Sequence, residues 1–180
     1  VHMSKNISLY ARCAVAVSAI ALGTVVAGGD AEAGTATDNL SVTASVAANC
    51  TISTATVAFG AYDPVVTNAS ADLDGTGTVT VTCTDGASTN ITLGQGANAD
   101  VGSTDTDPLR RMNDGSTNHL SYFLYSDAGR TVTWGNTSPT GNAHTGTGIS
   151  TNLTVYGRTT GGQNVPAGSY SDTVVATVTF

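Results

Sequence analysis

Gly168-Ser-Tyr-Ser-Asp-Thr-Val-Val-Ala-Thr-Val-Thr-Phe180 alternates between two kinds of residue. Tyr170, Asp172, Val174, Ala176, Val178 and Phe180 fall on one side of an extended chain, with Ser171, Thr173, Val175, Thr177 and Thr179 on the other. Successive side chains of a strand point to opposite faces, so this period of two predicts a strand with one apolar face. No partner strand for it is expected after Phe180. A long apolar strand left unpaired recruits other chains. The expectation is that this one is meant to recruit a partner.

Upstream, short runs of β-branched and aromatic residues alternate with turn residues. Cys50–Phe59, Thr78–Cys83, Thr89–Leu93, Leu109–Asn113, His119–Ser126 and Asn152–Tyr156 read as strands, the aromatic run at 119–126 as a central one. Thr131–Trp134 reads as a short edge strand. Gly60–Pro64 reads as a turn, and Val65–Gly77, Gly94–Pro108 and Gly135–Ser150 as loops. Many short strands, with no helical period after the N-terminal region, predict an all-β sandwich.

Leu40, Val42, Ala44 and Val46 alternate with Ser41, Thr43 and Ser45, making another one-faced strand just before Cys50. It either belongs to this domain's own sheet or adds itself to a sheet in another subunit. Before it, Lys5 and Arg12 precede an apolar run at 14–26, and Ala31-Glu32-Ala33 fits a small-x-small cleavage site. Residues 1–33 are therefore expected to be a secretory signal, with residues 1–2 a possible cloning or start remnant. The expected divisions are 34–47 as the N-terminal strand and 48–180 as the domain.

Residues 34–180 carry four Arg, no Lys, eleven Asp and no Glu, a net charge of −7. Binding nucleic acid or an anionic membrane requires clustered cations, so neither partner is expected. Without lysine there is no Lys–Asn isopeptide cross-link either. Cys50 and Cys83 remain after the signal, and an even count in an exported chain reads as one disulfide. Metal and redox pairs are the weaker readings, given the spacing and the lack of nearby His or Cys.

The alternating segment before Asn49-Cys50, Phe59-Gly60-Ala-Tyr62-Asp63, Val79-Thr-Val-Thr-Cys83, Leu120-Ser-Tyr122-Phe-Leu-Tyr125-Ser-Asp127 and Val165-Pro-Ala-Gly-Ser-Tyr170-Ser-Asp172-Thr173…Phe180 occur in this order. Together they resemble the spore coat protein U family, which includes pilins of the archaic chaperone–usher pathway. The resemblance implies an incomplete immunoglobulin-like β-sandwich lacking its last strand. A periplasmic chaperone fills the gap first, and the N-terminal strand of the next copy fills it in a polymer assembled through an outer-membrane usher. It implies Leu40, Val42, Ala44 and Val46 as the donor face, and Tyr170, Val174, Ala176, Val178 and Phe180 as the acceptor groove and chaperone-binding surface. The product would be a spore-coat fibre or a pilus, exported through the periplasm to the cell or spore surface with no direct membrane anchor.

Catalytic chemistry is not visible. His119 and His144 have no triad or zinc partners in the sequence, and no phosphate loop exists without lysine. Asp72-Leu-Asp74-Gly75 opens like a calcium loop but lacks the closing Glu, leaving Asp100, Asp105 and Asp107 as remote supplements. No cofactor or metal is expected, and no enzyme. The rival reading is a monomeric secreted sandwich binding carbohydrate or another ligand, with Trp134, Tyr122, Tyr125 and Tyr156 as a stacking surface.

Overall fold

The computed structural model describes residues 32–180. The expected signal segment, apart from Glu32 and Ala33, lies outside the described residues. The chain divides between Thr43 and Ala44 into two units. In the first, residues 32–43 have no assigned secondary structure and are exposed.

The second unit is built from antiparallel strands in two sheets. Its strands are β1 (Cys50–Ala58), β2 (Leu73–Cys83), β3 (Ser88–Leu93), β4 (Arg110–Asn113), β5 (His119–Tyr125), β6 (Asn142–Thr145), β7 (Ser150–Thr159) and β8 (Ala176–Thr179). One sheet runs β1-β2-β7-β5-β4 and the other β6-β3-β8. This is the all-β sandwich expected from the short alternating runs, with β5 inside its sheet. On β2, Val79, Val81 and Cys83 are buried, while Thr78, Thr80 and Thr82 are half-buried. The core joins Val79, Val81, Val155, Tyr122 and Leu124 of the larger sheet to Ile91 and Leu93 of the smaller, around Trp134. Cys50 and Cys83 form the expected disulfide. Closing a loop of that length stabilises by about 4 kcal/mol in the chain-entropy picture.

Three stretches depart from their reading. Leu73–Gly77, read as loop, is strand, because it pairs with β7 from Leu73↔Thr159 to Gly77↔Val155. Its glycines are there for close packing, not for a turn. Gly75 lies directly across from Gly157, and a Cβ on Gly157 would sit 2.8 Å from both the Phe59 ring and Val57. The bare backbone makes the bed for those two side chains. Asn142–Thr145, also read as loop, pairs with β3 from Ser88↔Thr145 to Ile91↔Asn142; its polar composition concealed a ladder that only the partner reveals. Thr131–Trp134, read as an edge strand, contributes a single bridge, Tyr125↔Thr133. Trp134 instead turns into the core, fully buried, and its Nε1 donates to the Ile91 carbonyl at 2.8 Å.

β1 contains an irregularity that matters for the site. Ala55 lies across from Thr78 but Ala58 from Thr76, so one extra residue is inserted. A bulge of this kind reverses which residues face inward. Cys50 and Ile52 are half-buried before it, and Val57 and Phe59 after it. Thr54 has the inward parity of Ile52 and is nevertheless exposed.

The loops are capped by aspartates. Asp63 Oδ1 accepts from the Val65 and Val66 N–H groups at 2.9 and 3.1 Å, and Asp127 Oδ1 from those of Thr131 and Val132 at 2.9 and 2.8 Å. These backbone donors hold both carboxyls below their usual range. Asp114 and Asp105 are lowered chiefly by Asn118 and Asn136, and Asp74 by its hydrogen bond to Arg158. A lowered folded pKa contributes stability that is complete above the ordinary carboxylate value of about 3.9 and lost as pH falls through the folded values. The melting temperature is expected to stay level from neutrality to about pH 5 and to fall below about pH 4. A thermal-unfolding series over that range checks it, and an unchanged midpoint in strong acid would contradict it.

Candidate functional site

The last strand is paired on one side only. Ser171 exchanges both backbone hydrogen bonds with Asn113 at 3.0 and 2.9 Å. Further along, the Thr173 and Val175 carbonyls accept from Ala97 and Gly94 at 3.0 and 2.8 Å, and β8 then pairs with β3. The segment thus leaves the edge of one sheet and joins the other. Odd-numbered residues from Ser171 onward turn their backbone groups to these partners, so even-numbered ones present theirs to the opposite edge. Among the described residues the N–H and C=O of Asp172 and Val174 have no partner. A strand with free groups along one edge is a template for another strand.

Beside that free edge lies a cleft of about 440 Å³, walled by Thr54–Val57 and Phe59 on one side and Tyr170–Val174 and Ala176 on the other. Its floor is Val79, Leu93, Met112, Tyr122, Leu124 and Val155, so an occupant would touch the core itself. A second cleft of about 880 Å³ shares Thr56, Val57, Phe59, Met112 and Tyr170 with the first. It continues toward Tyr62, Val65 and Asn164–Ser169. β1 and β8 approach to within 8 Å at Cα without forming a ladder.

The predicted period of two is present in the burial itself: Tyr170, Asp172, Val174, Ala176 and Val178 are half-buried, and Ser171, Thr173, Val175, Thr177 and Thr179 exposed. The regular ladder is shorter than the alternation, covering only Ala176–Thr179. Of the acceptor residues named from sequence, Tyr170, Val174 and Ala176 line the cleft. Val178 packs on the core beyond it. Phe180 is 55% exposed and does not reach the cleft lining. The donor residues Leu40, Val42, Ala44 and Val46 are all exposed and belong to no strand, with Leu40 at 88%, Val42 at 85% and Val46 at 85%. The root of the tail is held: Thr84 N donates to the Asn49 carbonyl at 2.9 Å and Asn49 N to Thr84 Oγ1 at 3.0 Å, next to the disulfide.

Two polar groups of the site were not found from sequence. Asp172 Oδ1 accepts from Ala97 N, Asn98 N and Asn98 Nδ2 at 3.0, 3.2 and 3.0 Å. Its Oδ2 accepts from the Tyr122 hydroxyl at 2.6 Å. Gly96, at φ +88°, lies against this carboxylate, and any Cβ there would collide with it. Burial first, and then Asp172, push the Tyr122 phenol far above its usual pKa, so it remains a donor at neutral pH. The other group is Arg110, 1% exposed. Its Nε donates to the Gly94 carbonyl at 2.8 Å, and its Nη2 to those of Leu93 and Trp134 at 2.7 and 2.8 Å. Burial lowers its pKa to about 10, which leaves it charged at neutral pH. A lone carboxylate within an apolar row, between Tyr170 and Val174, was the available signal for Asp172. Arg110 had no comparable mark.

The other candidates are accounted for separately. Trp134 and Tyr122 are buried in the core, whereas Tyr125 and Tyr156 pair across β5 and β7 with half-exposed rings. The four aromatics form no common stacking surface. Asp72 and Asp74 lie 3.4 and 2.8 Å from Arg158 Nε. Asp100 lies 2.8 Å from Arg111, and Asp105 accepts from Gln95 and Asn136, both at 3.0 Å.

A family model described as the Spore Coat Protein U domain matches residues 36–177. Protein U of Myxococcus xanthus is 51% identical over 173 residues, covering 92% of this chain and 97% of that protein. Among solved structures, a chain in the CsuC–CsuE chaperone–tip adhesion subunit pre-assembly complex, from archaic chaperone–usher Csu pili of Acinetobacter baumannii, superposes with a TM-score of 0.52. The identity there is 20%, over 75% of this chain and 40% of that one, and the likeness is one of fold.

Proposed function

This chain belongs to the spore coat protein U family, and we propose that it is a non-enzymatic structural subunit of a surface fibre, assembled without covalent links by donor-strand exchange. One observation carries this reading: the backbone groups of Asp172 and Val174 are unpaired along a cleft floored by core residues. The same chain carries an exposed alternating segment, Leu40 to Val46, of the kind such an edge accepts. The donor is the tail of another copy, residues 34–47, and the accepting domain is 48–180. Before assembly, a periplasmic chaperone covers the groove and an outer-membrane usher delivers the subunit to the surface.

The magnitudes suit the task. Burying Leu40, Val42 and Val46 at about 1.5–3 kcal/mol each yields roughly 5–9 kcal/mol gross. Backbone hydrogen bonds add about 0.5–1.5 kcal/mol apiece, because water competes for the same groups. Ordering the tail and immobilising a subunit oppose this. An intervening strand needs two ladder spacings, about 9.6 Å between its neighbours. The cleft between β1 and the C-terminal segment lies where such a strand would enter.

The experiment is to compare the chain from Gly34 with one lacking residues 34–47. The intact chain is expected to form SDS-resistant ladders and the truncated one to stay monomeric, regaining thermal stability when the 34–47 peptide is added. An intact chain that remains a stable monomer, with truncation merely unfolding it, would sink the reading and favour a ligand-binding monomer.

A further inference from the structure

The accepting row reads Tyr170, Asp172, Val174, Ala176, and the tail row reads Leu40, Val42, Ala44, Val46. Each covers about 20 Å of extended chain, and each has one member unlike the rest. In the first it is Asp172, the only charge; in the second it is Ala44, the only small residue. Resting on the strand-donation reading above, we propose that these two positions meet. Asp172, held by Tyr122, is the specificity determinant of the groove, and it admits the tail of a second copy in one antiparallel register, with Ala44 opposite Asp172.

That register places Val46 opposite Tyr170, Val42 opposite Val174 and Leu40 opposite Ala176. The bulkiest tail residue then meets the smallest groove residue, and the smallest tail residue meets the carboxylate. Asp172 cannot swing aside to accommodate anything larger. Its oxygens are fixed by Ala97, Asn98 and Tyr122, and Gly96 closes the space behind it. A branched apolar side chain over the carboxylate would strip it of water and offer no hydrogen bond in return. Sliding the tail by two residues in either direction puts Val46 or Val42 there, and a parallel tail with Leu40 opposite Tyr170 puts Val42 there. The backbone parity agrees, because Asp172 and Val174 present both free groups to the incoming strand. In an antiparallel ladder such residues sit directly across from their partners.

Directly opposed residues lie about 5.5 Å apart at Cα, inside disulfide range, so paired cysteines read the register. In the chain from Gly34, Leu40→Cys combined with Ala176→Cys is expected to yield covalent ladders on mild oxidation. Leu40→Cys with Tyr170→Cys reports a parallel tail, and Leu40→Cys with Val174→Cys or Val178→Cys reports a slipped one; these should yield few cross-links. Separately, Ala44→Leu should slow ladder formation at least tenfold, whereas Ala44→Gly should leave it within about threefold. Non-covalent ladders are scored for every variant before oxidation. If they form but a parallel or slipped pair cross-links best, or Ala44→Leu assembles normally, the register is overturned while strand donation survives. If the unsubstituted chain forms no ladders, the reading beneath it has failed.

Discussion

A chain carrying Val42→Asp is expected to fold as stably as the original and to form no SDS-resistant ladder. Val42 is 85% exposed before assembly, so a carboxylate there costs the free subunit almost nothing. In the proposed donor-strand assembly the same position would lie over the core-floored cleft. Removing a charge from water without a partner costs several kcal/mol, and each 1.4 kcal/mol is about a factor of ten in affinity. A loss of at least ~100-fold in assembly follows. Thr43→Asp, one residue along and on the opposite face of the tail, is the control and should assemble normally. Ladder formation is followed on gels and folding by thermal unfolding. Normal ladders from Val42→Asp would remove the tail's apolar face from the explanation.

Arg110→Ala should lower the unfolding free energy by about 3–5 kcal/mol, comparable with the effect of removing one member of a buried ionic contact. Two opposing effects have to be weighed. Burying a guanidinium is costly, in keeping with the lowering of its pKa to about 10, and among the described residues its Nη1 has no hydrogen-bond partner. Removing the charge recovers that cost. Against it, the carbonyls of Leu93, Gly94 and Trp134 all lose their donor, and each orphaned buried group costs about 1–3 kcal/mol. A cavity replaces the side chain as well. Three lost partners outweigh one recovered charge. Lysine should not rescue the domain, since a single ammonium cannot reproduce the planar fork that reaches these carbonyls. Urea denaturation measures it: the midpoint should fall with the slope unchanged. A change below about 1 kcal/mol would show that the core rearranges to satisfy the carbonyls without this residue.

Arg110 matters to the site because of where it ties the chain. It stands on β4, and its three carbonyls belong to the end of β3 and to the segment entering the core at Trp134. Asp172 does the same for the last strand, fastening it to residues 97–98 and to Tyr122 of β5. These two groups hold one wall of the sandwich in place while no ladder closes its other side. Strand pairing normally supplies that rigidity, and here side chains substitute for it.

The alternation from Tyr170 to Thr179 was legible because a period of two leaves one physical solution, a strand with its apolar row inward. The same logic found β1, β3, β4, β5 and β7 to within a few residues. It failed at Leu73–Gly77 and Asn142–Thr145, where Gly, Asp, Asn and His read as loop. Those strands exist because β7 and β3 offer them ladders, and pairing is a property of the partner, not of the segment. Thr131–Trp134 failed in the opposite sense, since burying Trp134 over Ile91 outweighs extending an edge.

By itself, the sequence determined that this chain is all-β, acidic, linked between Cys50 and Cys83, and provided with one apolar row near each end of residues 34–180. Composition and periodicity suffice for those, being local quantities. Only the tertiary structure decided that the C-terminal row lies beside an open cleft, that Thr54, just before the bulge in β1, lines that cleft, and that Asp172 stands fixed within that row. An unpaired edge is defined by which neighbours are missing. That depends on the arrangement of every other strand, which no local pattern contains.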